Sequence, residues 1–373
     1  MAAAAAPVAE PNWKLLEQLL NALGTSGSVE SISHIMENEL KRDVDELHMD
    51  DLGNLFGFLA SDKPKSDIVL VLCCHMDEVG FMVNHIEPGT GFVDVSQVGG
   101  FEPHMMVGAT VKISSKNKKS LVSGRVFHRV NDGKELDEIA QVRRGTQLKH
   151  LYVDTGFSAA ELDKLGVRPG KTIFLDQPAV QFLGPEKQRL VISKALDNRV
   201  GCFVLLELAR RFRRERAAYH LLFVCTTQEE IGDSQVLDVT KYVNGRERVF
   251  ALSVDCDMAI VDPPPRGVIL TSLDGAGLKD QAIDENIVAL ANQHKIQITN
   301  VVGAAGRSDD ARIRNQGTSA QGTMIGVSIR AMHTPFSSCR QQDIADLLNL
   351  LYHLCQDEDV ITLPSRAIKT SRR

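Results

Sequence analysis

The chain has 373 residues, 43% of them hydrophobic and 24% charged, with 42 Lys and Arg against 48 Asp and Glu for a formal charge of −6. This length allows two domains, or one large domain with an insertion, in a globular protein of ordinary composition. The mild acidity argues against a nucleic-acid binder, and no apolar run reaches the ~18–20 residues of a membrane-spanning helix. Seven cysteines form an odd set without CxxC spacing, and Cys73, Cys202, Cys225 and Cys256 lie in apolar surroundings. Buried free thiols in a reducing compartment are expected. Residues 1–10 read as an Ala-rich disordered tail rather than a secretory signal, and 362–373 as a basic tail, so a cytoplasmic protein is expected.

In chain order, Trp13, Leu15, Leu16, Leu19, Leu20 and Leu23 keep helical spacing up to Gly24. Ser28 is placed to cap a second helix through about Arg42. A turn at Asp51–Asn54 precedes the apolar strand Ile68–Leu72, which runs into Cys73-Cys74-His75-Met76-Asp77. From Phe81 the texture becomes that of short strands: Phe81–Val83, Phe92–Val95, Ala109–Ile113, Ser123–Phe127, Tyr152–Asp154 and Thr172–Leu175. Residues 89–184 are read as a β-rich domain inserted into an α/β domain made of 11–88 and 185–361. The α/β pattern resumes with a helix carrying Val200, Val204, Leu208 and Phe212 on one face. Apolar strands at 220–225, 249–254 and 323–329 follow, with helices at 284–294 and 341–355.

Several of these strands end in metal-binding chemistry. His75 and Asp77 leave one strand on the same face, Glu229-Glu230 follows another, Asp255 and Asp257 a third, and His333 a fourth. Asp197 opens the helix after the insertion. In open α/β sheets ligands gather at the carboxyl ends of parallel strands. Two histidines and several carboxylates there are costly to desolvate unless a cation neutralises them. The mixed donor set suits two divalent ions, zinc first and cobalt or manganese next. Such a pair assists hydrolysis, with one carboxylate left as general base; the adjacent Glu229 and Glu230 offer that division.

The segments His75–Val83, Ala195–Gly201, Gln228–Gly232 and Arg330–Pro335 resemble the tetrahedral (TET), deblocking or glutamyl aminopeptidases, which are dinuclear metallopeptidases. The resemblance runs from about Lys14 to Leu354 and includes Leu151–Gly156. It implies a doubly wound mixed sheet of the zinc-exopeptidase type with a small PDZ-like dimerisation domain inserted. It further implies His75, Asp197 and Asp255 at one metal and Asp197, Glu230 and His333 at the other, with Glu229 as general base and Asp77 orienting His75. Short peptides are the implied substrates, and dimers assembled into tetrahedral dodecamers the implied form. Asp233-Ser234-Gln235, Ala331 and Ser337 depart from the family pattern, and Asp257 adds an acid beside Asp255. Asp310 stands near a family Gly-Thr-Asp-Ala-like turn, where substrate binding and helix capping are both open. Beside the aminopeptidase reading stand two others: a hydrolase of N-acyl amino acids, and a weakened homologue serving as a peptide-binding or assembly subunit.

Overall fold

The computed structural model describes residues 10–361 apart from 63, 66, 117–119, 130–144, 178–180, 186–187, 233–236, 243–247, 259–265, 276, 304–305, 307 and 315–320. The tail through residue 9 and the basic tail from 362 thus lie outside the described residues, as do Asp233, Ser234 and Gln235. Helices α1 (Trp13–Asn21) and α2 (Glu30–Asp43) open the fold. Asn12 caps α1 by accepting from Leu15 N, and Leu15, Leu16, Leu19 and Leu20 form its buried face. Ser28 does not cap α2: the capping residue is Val29, without a side-chain bond, because the Ser28 hydroxyl pairs with Thr172 at 2.8 Å.

Strands β1 (Glu46–Met49), β2 (Leu55–Leu59) and β3 (Ile68–His75) lead into β4 (Gly80–Ile86), β5 (Val93–Val98), β6 (Thr110–Ser114), β7 (Leu121–His128), β8 (Leu151–Asp154) and β9 (Thr172–Leu175). The last six close into a barrel in the order β4-β5-β8-β7-β6-β9. The barrel begins at Gly80, ahead of the expected boundary at 89, because β4 pairs with both β5 and β9. Helix α3 (Ala159–Leu165) is closed by a capping box between Ser158 and Glu161 and by Gly166 at positive φ.

The chain then returns through β10 (Gln181–Leu183), β11 (Leu190–Ser193) and helix α4 (Leu196–Glu215). Next come β12 (His220–Thr226), β13 (Arg248–Met258), β14 (Val268–Asp274), β15 (Gly277–Leu278), α5 (Gln281–Gln293) and β16 (Ile298–Val302). Helix α6 (Asp309–Arg314), β17 (Gln321–Ile329), β18 (Ser337–Arg340) and α7 (Gln341–Gln356) complete the fold. The main sheet runs β1-β2-β12-β3-β13-β17-β14-β15, with β16 beside β14; β3, β12, β13 and β17 are mutually parallel. Strands β10, β11 and β18 form a separate small sheet.

Both faces of the main sheet are covered. Ile68, Leu70, Leu72 and Cys74 enter a large core shared with the buried faces of α1, α2, α4, α5 and α7. Val69, Val71 and Cys73 enter a second core with Val239 and Ile313. A strand packed on both sides is apolar at every position, which is why β3 reads as an unbroken run. Each such side chain contributes about 1.5–3 kcal/mol by leaving water. All seven cysteines are buried and unpaired, as expected. No helix among the described residues is long and apolar enough to cross a membrane.

Candidate active site

The carboxyl ends of the four parallel strands meet in register. Thr226, the last residue of β12, sits opposite His75, the last of β3, and Asp255 on β13 sits opposite Gly326 on β17. Asp197 comes from the first turn of α4, where its own backbone is not yet helical and the Asp197–Asn198 peptide is cis. Asn198 latches this turn to β13 by donating to the Val254 carbonyl at 2.9 Å while its Oδ1 accepts from Gly201 N. Residue 201 is glycine because a Cβ there would stand 2.3 Å from that carbonyl. Of the six described non-glycine residues at positive φ, Ala195, Gln228, Ala331 and His333 are in or next to the site. Such backbone costs about 1–3 kcal/mol each and concentrates where function demands it.

The donor atoms converge. His75 Nε2 lies 3.0 Å from Asp197 Oδ1 and 3.6 Å from Asp255 Oδ1. His333 Nε2 lies 3.1 Å from Asp197 Oδ2 and 3.2 Å from Glu230 Oε2. One Asp197 oxygen thus faces each histidine, as a bridging carboxylate requires. Two ligands about 2.0–2.1 Å from one tetrahedral ion stand about 3.3 Å apart, so these separations suit ligand sets for two ions. Glu230 Oε1 is buried without a hydrogen-bond partner, a position that a cation would satisfy. His75 Nδ1 donates to the Asp77 carbonyl at 3.1 Å, which turns Nε2 toward the carboxylates.

The electrostatics report the same crowding. Burial pushes Glu229 and Glu230 well above the usual carboxylate range, with His75 pulling each back in part. Burial likewise raises Asp255 to about 6. Burial would lower His75, but Asp255, Asp197 and Asp77 outweigh it and raise the imidazole well above its ordinary value. Asp197 goes the other way: burial opposes ionisation, yet the hydrogen bonds from His333 and His75 hold it low. Positive charge is needed at this point, and divalent cations would supply it.

The site opens onto a cavity of about 920 Å³ whose wall also includes Thr271, Leu273, Val301, Met324 and Arg312. Glu229 lines it, and among the described residues none hydrogen-bonds its carboxylate. Asp257 lines the cavity as well, while Asp255 is the acid facing His75. Asp310 is not brought into the wall. Its carboxylate is fully buried and accepts from Ser308, Lys279 and Arg314, so its oxygens are committed to holding α6. Ser337 donates to the Ala331 carbonyl at 2.8 Å and so ties the turn that carries His333. Sequence reasoning missed Ser26, which donates to Asp77 across 51 residues, and Asp309, which accepts from Thr226 at 2.5 Å. No local pattern marks either.

Residues 53–350 match the model of the M42 glutamyl aminopeptidase family, and the chain belongs to that metal-dependent family of peptidases. The glutamyl aminopeptidase of Lactococcus lactis is 27% identical over 296 residues, spanning 76% of this chain and 79% of that one. A TET aminopeptidase from a marine-sediment Thaumarchaeota archaeon shares the fold with a TM-score of 0.79 at 22% identity, over 93% of this chain and 97% of that one. The Pyrococcus horikoshii TET1 peptidase, which can assemble into a tetrahedron or a large octahedral shell, superposes with a TM-score of 0.76 at 20% identity, over 92% and 99%. The protein is therefore a hydrolase of the aminopeptidase class with the TET fold.

Proposed function

We propose that this enzyme removes the N-terminal residue from short peptides, using two divalent ions, zinc first, with Glu229 as general base. The observation that carries this reading is Asp197, whose two oxygens face His75 and His333 while Glu230 Oε1 stays buried and unpartnered. His75, Asp197 and Asp255 would hold one ion, and Asp197, Glu230 and His333 the other. When bound, such ions polarise a carbonyl and lower the pKa of water. The chain's own residues do the rest. Asp77 fixes the His75 ring, and Glu229 takes the proton of the attacking water and returns it to the leaving amine. The cavity confines the peptide's first residue beside these groups.

The barrel serves as the dimerisation domain in this proposal, which exposed Met82, Phe127 and Phe157 on or beside its strands support. Dimers then build a closed, dodecamer-like assembly in the cytoplasm, as the assembly of the P. horikoshii relative suggests. Gel filtration with light scattering should give a mass far above the 41.0 kDa of one chain.

The test is removal and return of metal. Chelator-treated enzyme, screened on aminoacyl p-nitroanilides, should be inactive and recover with added zinc, cobalt or manganese. N-acetylated forms of the same substrates should stay intact. Activity that survives exhaustive chelation, or cleavage of only the acylated substrates, would reject the proposal. Zinc binding should also be proton-linked. Asp255 titrates at about 6 and His75 well above its usual value, so both shed protons to bind metal. Affinity should therefore begin to fall once pH drops through the raised His75 value and fall more steeply below about 6, roughly tenfold per unit for each proton displaced. Calorimetry in two buffers of different ionisation heat would read the proton release, and a pH-independent affinity would contradict it.

A further inference from the structure

Asp77 is more than the partner of His75. Its carboxylate is fully buried, and Ser26 Oγ donates to Oδ2 at 2.5 Å. The backbone N–H of Glu230 donates to the same oxygen at 3.2 Å, and that of Glu229 to Oδ1 at 3.2 Å. His75 Nδ1, which donates to the Asp77 carbonyl at 3.1 Å, also stands 3.5 Å from Oδ1. A single carboxylate thus meets one metal-ligand ring and the backbone of both Glu229 and Glu230.

Ser26 lies in the turn between α1 and α2, far from the site in sequence. The turn is seated independently of its hydroxyl. Glu78 N donates to the Gly24 carbonyl at 2.8 Å, and Ser26 N to the Glu78 carbonyl at 3.3 Å. Lys194 Nζ bridges the Glu78 carboxylate at 2.6 Å and the Ala22 carbonyl at 2.9 Å, while Arg199 donates to the Leu19 carbonyl. Residue 80 is glycine because a Cβ there would stand 2.5 Å from Thr25 Oγ1. With the turn so held, the hydroxyl's remaining effect is on Asp77. A hydrogen bond to an ionised, buried carboxylate is among the strong ones. Without it, the Asp77 carboxylate keeps only the two longer backbone bonds, at 3.2 Å each, and its orientation is less firmly set.

We propose that Ser26 is a positioning residue for the aminopeptidase reaction: its hydroxyl orients the Asp77 carboxylate, and through it His75 and the Glu229–Glu230 backbone. The inference rests on the site reading above. Full-length Ser26→Ala, Ser26→Thr and, as a control in the same turn, Ser28→Ala would be compared with wild type. Two readouts are needed: steady-state kinetics on the best p-nitroanilide of the panel, and zinc affinity by competition with a chelating indicator. Outer-shell partners of this kind are worth about 10–100-fold, so Ser26→Ala should lower kcat and weaken zinc binding by about tenfold each. Its KM should stay within about twofold, since the cavity wall is untouched. Ser26→Thr should restore both values, and Ser28→Ala should leave them unchanged, since among the described residues the Ser28 hydroxyl meets only Thr172. Unchanged kcat and zinc affinity in Ser26→Ala overturn the proposal, as does failure of the threonine variant to restore them when its melting curve matches wild type. If wild type binds zinc but cleaves no aminoacyl substrate, the functional reading fails, and the zinc-affinity arm alone still decides the role of Ser26.

Discussion

Glu229→Gln should keep its metal and lose turnover, with kcat reduced by about 10²–10⁴-fold, the range that positioned proton transfer contributes. Glu229 lines the cavity without facing either histidine, whereas the cavity-wall acids that do face His75 or His333 are Asp197, Asp255 and Glu230. The amide is the same size, and the link from residue 229 to Asp77 runs through the backbone N–H, so it survives the substitution. What the amide cannot do is accept a proton. Metal analysis alongside kinetics separates the roles. Wild-type rates in this variant would remove Glu229 as the base, and loss of metal would make it a ligand instead.

Asp197→Asn should have the second large effect, and of a different kind. It takes one carboxylate charge from both ligand trios at once, so zinc affinity should fall by more than the roughly 10–100-fold that an outer-shell loss costs. Activity should drop below detection at stoichiometric zinc. Asp197 is held ionised against burial by hydrogen bonds from His333 and His75, and His75 is itself nearly inaccessible. Breaking a buried charge pair typically costs about 3–5 kcal/mol, so the metal-free variant should also melt earlier than metal-free wild type. Calorimetric zinc titration and a thermal scan read both effects. A variant that still binds two ions would show that Asp197 does not bridge.

Much of the site was legible because its residues punctuate strongly patterned elements. The run into His75 is apolar on every residue since β3 is packed on both faces, and the switch to His-x-Asp at its end marks the rim of the sheet. Glu229-Glu230, Asp255 and His333 follow the same logic on or after β12, β13 and β17. What stayed hidden depends on contacts between distant segments. Ser28 has the residue type of a helix cap, but a tertiary partner, Thr172, claims its hydroxyl. Asp310 reads in sequence as either a substrate-binding acid or a helix cap, yet Lys279 and Arg314 neutralise it inside the protein. Strand β4 follows closely on the His75–Asp77 segment in sequence but pairs within the barrel, which moves the start of that unit to Gly80. The small sheet of β10, β11 and β18 joins segments too short and too far apart to pattern visibly. Residues Asp233, Ser234 and Gln235 lie outside the described residues, so their departure from the family pattern has no structural account.

The claim at the centre is a pair of ions joined by Asp197, and the most direct measurement is metal stoichiometry. Chelator-stripped protein, reloaded with excess zinc and passed through gel filtration, would be assayed for zinc per subunit by plasma mass spectrometry. Two zinc ions per subunit are expected in wild type. A stable, fully active enzyme carrying one ion or none would contradict the two-metal site.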